Sequence, residues 1–149
     1  LLAIALPSYR NFVTSNRLTA QINELVGDLS LARNESSTRG RNVTVCMAAS
    51  ATACATSGTD WAVGRLIWVD TNGNGALDSG NNEIIKYTAP LEGGVSLITS
   101  GPLLTFRPGG GLTTTSTMTF TLCAPGTVTG RTATLPFTGR ASAKRAETC

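Results

Sequence analysis

A long amphipathic segment in the first part of the chain restricts its possible folds more than any other feature. The apolar residues of this segment recur at intervals of four, three, four and three, which places them on one face of an α-helix. They are Leu18, Ile22, Leu25, Leu29 and Ala32. The polar residues between them are expected mostly outside this apolar stripe, and they are Arg17, Gln21, Glu24 and Asp28. The rest of the chain must therefore supply a layer that covers the stripe.

The limits of this helix can also be predicted. Neither glycine nor proline occurs between residues 8 and 26, and Gly27 costs a helix only about 1 kcal/mol. Gly40 follows Arg39, and glycine is the usual residue just past the end of a helix. We predict one helix from near the first residue to about Thr38.

The chain after Asn42 has the pattern of short strands separated by turns. The predicted strands are residues 42–49, 61–70, 83–88, 95–98, 103–107, 117–123, 131–137 and 139–144. With 149 residues, the chain has room for one core. We predict an α+β fold in which the helix (residues 1–40) and the β-rich part (residues 41–149) belong to the same single domain.

The first six residues, Leu1 to Leu6, form an apolar run that ends at Pro7. This run is too short to span a bilayer. Because the chain lacks an initial Met and begins inside the run, we expect that a longer hydrophobic segment was cut away, processing of the chain being the alternative.

The four cysteines, Cys46, Cys54, Cys123 and Cys149, allow three disulfide pairings. Two local pairs are the simplest arrangement, because Cys46 and Cys54 bracket a short loop and Cys123 could tie down the last residue. With no histidine in the chain, a zinc site would need most of the thiols. Disulfides would indicate an oxidising compartment, and free thiols are the alternative.

Basic residues are concentrated in the last third of the chain. This part has five of them against one acidic residue, Glu147, and they are Arg107, Arg131, Arg140, Lys144 and Arg145. Such a strip could contact DNA phosphates with little sequence preference, and few aromatic residues lie nearby to stack on bases. If residues 139–145 are extended, Arg140 and Lys144 share one face and Arg145 lies on the other. The alternative is a charged edge strand that prevents edge-to-edge pairing.

Residues 70–78 resemble the first nine positions of a calcium-binding EF-hand loop. Oxygen-bearing side chains occur at positions 1, 3, 5 and 9, supplied by Asp70, Asn72, Asn74 and Asp78. Position 12, however, is Asn81 and not glutamate, and Asn-Gly pairs are typical of hairpin turns. We therefore predict a turn and no metal site, with weak calcium binding as the alternative.

No pattern of catalytic residues is visible. The absence of histidine and of Gly-x-Ser-x-Gly argues against an enzyme, and the glycines at 109–111 are not followed by the Lys-Ser/Thr of a nucleotide-binding loop. No cofactor is expected. Trp61 and Trp68 are predicted to be core residues.

Several short motifs together resemble those of type IV pilins, and within them the minor pilins and pseudopilins of the GspH/FimT type. The chain begins like the end of the pilin hydrophobic helix, with Pro7 at the junction. The further motifs, in family order, are Leu31-Ala32-Arg33-Asn34-Glu35, Val43-Thr44-Val45-Cys46, Trp61-x-x-Gly64 before Ile67-x-Val69-Asp70, the Asn-Gly-Asn-Gly turn, Phe106-x-Pro108-x-Gly110 and Gly139-Arg140. The resemblance implies one long helix packed on an antiparallel sheet with a C-terminal β region.

This resemblance also implies a function. In FimT-type members a C-terminal Gly-Arg-x-Arg motif is associated with DNA binding in natural transformation. Gly139 and Arg140 match its first half, Ser142 occupies the place of the second arginine, and Lys144-Arg145 follow. The resemblance implies a methylated pilus subunit held in the bacterial inner membrane before assembly at the cell surface, with other pilins and double-stranded DNA as partners. The alternatives are a FimU-like priming or tip subunit and a type II secretion pseudopilin.

Overall fold

The computed structural model describes the backbone of residues 2–146 and 148–149, and the side chains of these residues from Pro7 onward. Leu1, in the predicted apolar run, and Glu147, the acidic residue of the C-terminal third, lie outside the described residues. In the described part of the chain, no helix combines the length and apolar character needed to cross a membrane.

A single long helix, α1, spans Leu2–Arg39 and confirms the predicted segment. It ends at Gly40, whose φ of +62° lies in the left-handed region that glycine adopts without steric cost. All five residues of the apolar stripe are buried. Burial of a leucine or isoleucine side chain contributes about 1.5–3 kcal/mol, so the stripe holds the helix on the β-rich part.

The β-rich part consists of two antiparallel sheets. The strands of the first sheet are β1 (Val43–Ser50), β2 (Ala53–Cys54), β3 (Arg65–Val69), β4 (Ile84–Thr88) and β6 (Leu103–Phe106). Its order is β2-β1-β3-β4, and β6 also pairs with β1. The strands of the second sheet are β5 (Ser96–Ile98), β7 (Met118–Cys123), β8 (Arg131–Leu135) and β9 (Ser142–Arg145), in the order β5-β7-β8-β9.

One hydrophobic core lies between α1 and both sheets. It joins the helix stripe to inward-facing residues of β1, β3, β6, β7 and β8. Trp61 is fully buried there, in edge-to-face contact with Phe120 at 5.1 Å between ring centroids, and its Nε1 donates to the Gly101 carbonyl (2.8 Å). Trp68 is also buried, in a smaller cluster with Cys46 and Leu66. The two tryptophans are core residues, as predicted.

The predicted strand from Trp61 to Asp70 is only partly correct. Trp61–Val63 form a turn of 3-10 helix that Asp60 caps by accepting a hydrogen bond from the Ala62 N–H (3.0 Å), and β3 begins at Arg65. Gly64 between them has a φ of +101°, and a Cβ there would lie 2.7 Å from the Thr88 carbonyl oxygen. The chain therefore turns at Gly64, which a strand pattern does not reveal.

Asp28 was expected outside the apolar stripe, and this was wrong. The residue is 2% exposed, and its carboxylate accepts hydrogen bonds from Arg65 Nε (2.7 Å), Lys86 Nζ (2.6 Å) and the Thr88 hydroxyl (2.9 Å). Arg65 Nη2 lies 2.6 Å from the same carboxylate. Because Arg65 is itself fully buried, this polar network joins α1 to β3 and β4 inside the molecule.

Candidate nucleic-acid interface

Strand β9 forms an exposed, basic edge of the second sheet. It pairs with β8 on one side, and all four of its residues are exposed. In the register, Arg145 lies opposite Arg131 and Lys144 opposite Thr132. Because successive side chains of a strand point to opposite faces, Arg145 lies on the face of Arg131 and α1, and Lys144 lies on the outer face.

Arg131 is fixed against the helix. Its guanidinium donates to the Thr19 hydroxyl (3.1 Å), to the Ser15 hydroxyl (2.9 Å) and to the Gly130 carbonyl (2.9 Å). The contacts with Thr19 and Ser15 span 112 and 116 residues of sequence. The side chain therefore anchors α1 to β8 and holds a positive charge in a fixed place.

Arg140 lies outside β9, because the strand begins at Ser142 and not at Gly139 as predicted. The turn before β9, which contains Gly139, packs against the Gly-rich loop after β6, which contains Gly110. A Cβ built on Gly139 would lie 1.9 Å from the Gly110 carbonyl oxygen. Gly139 also has a φ of +83°. Glycine is required at this position by a close approach of two backbones, and Arg140 is exposed beside it.

Arg107 lies at the same end of the molecule as Arg140. It is exposed, and its guanidinium lies against Gly111. A Cβ built on that glycine would be 3.1 Å from Nε and 3.3 Å from Nη2 of Arg107. The two loops are joined by a hydrogen bond from Leu112 N–H to the Phe137 carbonyl (2.8 Å). The five predicted basic residues thus form two groups, Arg107 with Arg140 and Arg131 with Lys144 and Arg145. At about 3.3 Å per residue, up to about 16 Å of extended chain separates Arg140 from Arg145.

A disulfide holds the C-terminal end of this edge. Cys123 at the end of β7 is bonded to Cys149, and the Cys149 N–H donates to the Val128 carbonyl (2.9 Å). Cys46 is bonded to Cys54 in the first sheet. The structure therefore contains the two local pairs, and it has no free cysteine among the described residues.

The loop at residues 70–78 is closed by its own hydrogen bonds. The Asp70 carboxylate accepts from the backbone N–H groups of Gly73 (2.7 Å), Asn74 (3.1 Å) and Gly75 (2.9 Å). The side-chain amides of Asn72 and Asn74 each donate to Asp78 at 2.8 Å. Within the described residues, no three His, Cys, Asp or Glu side chains are grouped as metal ligands. The loop has the geometry of a turn that Asp70 stabilises.

Glu83 is a buried carboxylate that the sequence did not single out. It is 0% exposed and accepts hydrogen bonds from the Thr71 hydroxyl (2.6 Å), the Asp78 N–H (2.8 Å) and the Thr71 N–H (3.0 Å). The Thr71 hydroxyl and the Asp78 N–H hold the pKa of this carboxyl below its usual range, although burial acts in the opposite direction. Glu83 therefore ties both ends of the turn to the sheet.

The lowered pKa of Glu83 predicts a contribution to stability that is lost in acid. Because the folded state holds the proton less tightly than the unfolded state, the contribution is present above the unfolded pKa of about 4.3 and is lost as the pH falls through the folded value. We expect Glu83→Gln to lower the free energy of unfolding at pH 7. Below about pH 4.3, the free energy of unfolding of this variant should depend less on pH than that of the wild type. Urea unfolding at a series of pH values measures this. Glu92→Gln, at an exposed carboxylate, is the control, and equal pH dependence in the two variants would contradict the prediction.

Comparison with known proteins identifies the family. A family model described as Type II transport protein GspH matches residues 21–139 of the chain. The chain belongs to the GspH family. The match covers the second half of α1, the first sheet, strands β5, β7 and β8 of the second sheet and the turn at Gly139, and it ends before β9.

Two crystal structures of the type IV minor pilin FimU from Pseudomonas aeruginosa (strain PAO1) are similar to this GspH-family chain. In one, the TM-score is 0.70 with 20% sequence identity, and the match covers 93% of this chain and 98% of that chain. In the other, the TM-score is 0.65 with 19% identity, and the coverage is 88% and 98%. The predicted α+β pilin fold and the resemblance to GspH/FimT-type proteins are thereby confirmed.

No curated protein sequence matches the chain. The family is therefore GspH, and the fold is that of the type IV minor pilin FimU.

Proposed function

We propose that this GspH-family chain is a minor pilin of a type IV pilus and that its basic C-terminal edge binds extracellular DNA without sequence preference, for uptake in natural transformation. The observation that supports this proposal is the edge strand β9, all four residues of which are exposed. It presents Lys144 on one face and Arg145 on the other, with exposed Arg140 just before it.

The chemistry of this edge suits a phosphate backbone. Lysine and arginine side chains at an exposed edge neutralise phosphates and release counterions, which gives affinity without base readout. One aromatic ring, that of Phe137, is half exposed near Arg140, whereas a single-strand platform stacks successive bases on several rings. Duplex DNA is therefore the proposed ligand.

DNA binding by the chain in a salt series tests the proposal. For the wild type, we expect the logarithm of the affinity to fall linearly with the logarithm of the salt concentration, by about 0.9 for each phosphate contacted. The triple variant Arg140→Ala/Lys144→Ala/Arg145→Ala should lose most of this slope, because it removes the exposed cations of the edge. Fluorescence anisotropy with a labelled duplex of arbitrary sequence measures both quantities.

A matched pair of double variants controls for net charge. Lys144→Ala/Arg145→Ala removes two charges from the edge, whereas Arg39→Ala/Arg41→Ala removes two near the end of α1, where both side chains are exposed. Only the first pair should reduce the slope substantially. Equal losses would show that binding follows overall charge, and absence of binding by the wild type at low salt would refute the proposal.

The alternative function is that of a subunit that binds only other pilins. The likeness to FimU supports a place in a type IV pilus, and the match to the Type II transport protein GspH family supports a type II secretion pseudopilin. We propose the pilus, with the chain held at the inner membrane before assembly and exposed at the cell surface after it. The proposal includes N-terminal methylation, which the resemblance to the family implies.

A further inference from the structure

We propose that a groove between the N-terminal half of α1 and the connection from β7 to β8 binds one backbone phosphate of the DNA. The inference rests on the proposed function and extends it, since it brings the pilin helix into the DNA interface. The groove has a volume of about 370 Å³, within the range of small-molecule sites. Its walls are Asn11, Thr14 and Ser15 on the helix side and Val128 and Thr129 on the other, with Arg131 and Arg145 between them.

The electrostatics of the groove favour an anion. Arg131 and Arg145 are directly opposite each other in the β8–β9 register, where like charges destabilise a sheet. None of the described residues that line the groove is acidic, and no ion pair of either arginine occurs among the described residues. An anion between the two guanidinium groups would remove this repulsion.

The donors around the groove select phosphate over a smaller anion. Among the described residues, Arg145 makes no side-chain hydrogen bond, and its guanidinium fork has the geometry of the bidentate contact that phosphates accept. The Thr14 and Thr129 hydroxyls and the Asn11 amide can donate further hydrogen bonds from both walls. A phosphodiester oxygen pair can accept from both walls at once.

Both walls are already held in place before a ligand arrives. Arg131 is fixed by its hydrogen bonds to Ser15 and Thr19, and the opposite wall is tied by the Cys149 N–H to the Val128 carbonyl. A site that needs little ordering loses less entropy on binding. The groove lies on the Arg145 face of β9 and not on the Lys144 face, so the edge strand would contact phosphates from both sides.

The test introduces negative charge into the groove without touching the arginines. Asn11→Glu/Thr14→Glu should lower the affinity for duplex DNA about tenfold, a loss typical of one charge-assisted hydrogen bond, and reduce the salt slope by about 0.9. Asn16→Glu is the control, because Asn16 is exposed on the same helix and does not line the groove. Circular dichroism establishes that each variant is folded.

A nuclear magnetic resonance titration separates this inference from the proposed function. With a short duplex, we expect shifts at the Asn11 side-chain amide and at the N–H groups of residues 127–129. Shifts confined to residues 140–145, with the two-glutamate variant binding like Asn16→Glu, would overturn the groove and leave DNA binding intact. Shifts at the groove with inorganic phosphate but none with the duplex would overturn the proposed function and retain the anion site.

Discussion

Replacing Asp28 by alanine should lower the free energy of unfolding by about 3–5 kcal/mol, the range observed when one partner of a buried ion pair is removed. Arg65 is fully buried, and its Nε lies 2.7 Å from the Asp28 carboxylate. Without that carboxylate, the guanidinium would keep its charge inside the core and lose its main counterion. Urea unfolding of the wild type and the variant at pH 7 measures the difference.

Two further variants define the cause of this loss. Asp28→Asn keeps the shape of the side chain and removes its charge, so we expect a loss close to that of the alanine variant. Glu24→Ala removes a carboxylate that lies 3.6 Å from Arg65 and is about half exposed, and it should cost less than about 1 kcal/mol. A loss below about 1 kcal/mol for Asp28→Ala would mean that the buried network adds little to the stability of the fold.

Removing the C-terminal disulfide with Cys123→Ser/Cys149→Ser should cost about 3.5 kcal/mol on the chain-entropy account of cross-links. This bond closes 26 residues, whereas Cys46–Cys54 closes 8. The same account assigns about 2.5 kcal/mol to the shorter loop, so Cys46→Ser/Cys54→Ser is the matched control. Thermal unfolding of both double variants, without reductant, shows which of the two loses more stability.

The C-terminal disulfide should also matter for the basic edge. Strand β9 has four residues and, within the described part of the chain, pairs on one side with β8, and Cys149 beyond it is bonded to Cys123. Without the bond this end should fray, and the DNA salt slope of the proposed function should fall toward that of the triple variant. An unchanged slope in Cys123→Ser/Cys149→Ser would show that β9 stays in place through its pairing with β8 alone.

Helix α1 and the half-buried strands could be predicted because their signal is local. The spacing of the apolar stripe depends only on the helical repeat, and the alternation of Met118, Phe120 and Leu122 depends only on the pleat of a strand. The five residues of the stripe and these three strand residues are all buried in the structure. The family motifs have the same local character, and they led to the correct fold.

The buried polar groups could not be predicted, because turns and tertiary packing bring their partners to them and no local repeat does. Asp28 has the spacing of a solvent-facing helical residue, and it becomes a core residue only because Arg65 and Lys86 come to it from two strands. Glu83 is likewise explained by Thr71 and Asp78, which a turn brings back to it. A charged residue acquires a reason to be buried only when the fold supplies its counterpart.

For the basic residues too, part of the arrangement follows from the sequence and part only from the tertiary structure. By itself, the sequence determined that the C-terminal third carries an excess of positive charge and that Lys144 and Arg145 point to opposite faces of an extended strand, since both follow from composition and the two-residue repeat. Only the tertiary structure decided that Arg131 is fixed on the helix, that Arg140 stands apart in a turn, and that Arg145 faces a groove against α1. The physical reason is that these positions depend on strand register, which places Arg145 opposite Arg131, and on helix–sheet packing, which brings Arg131 to Thr19, 112 positions away.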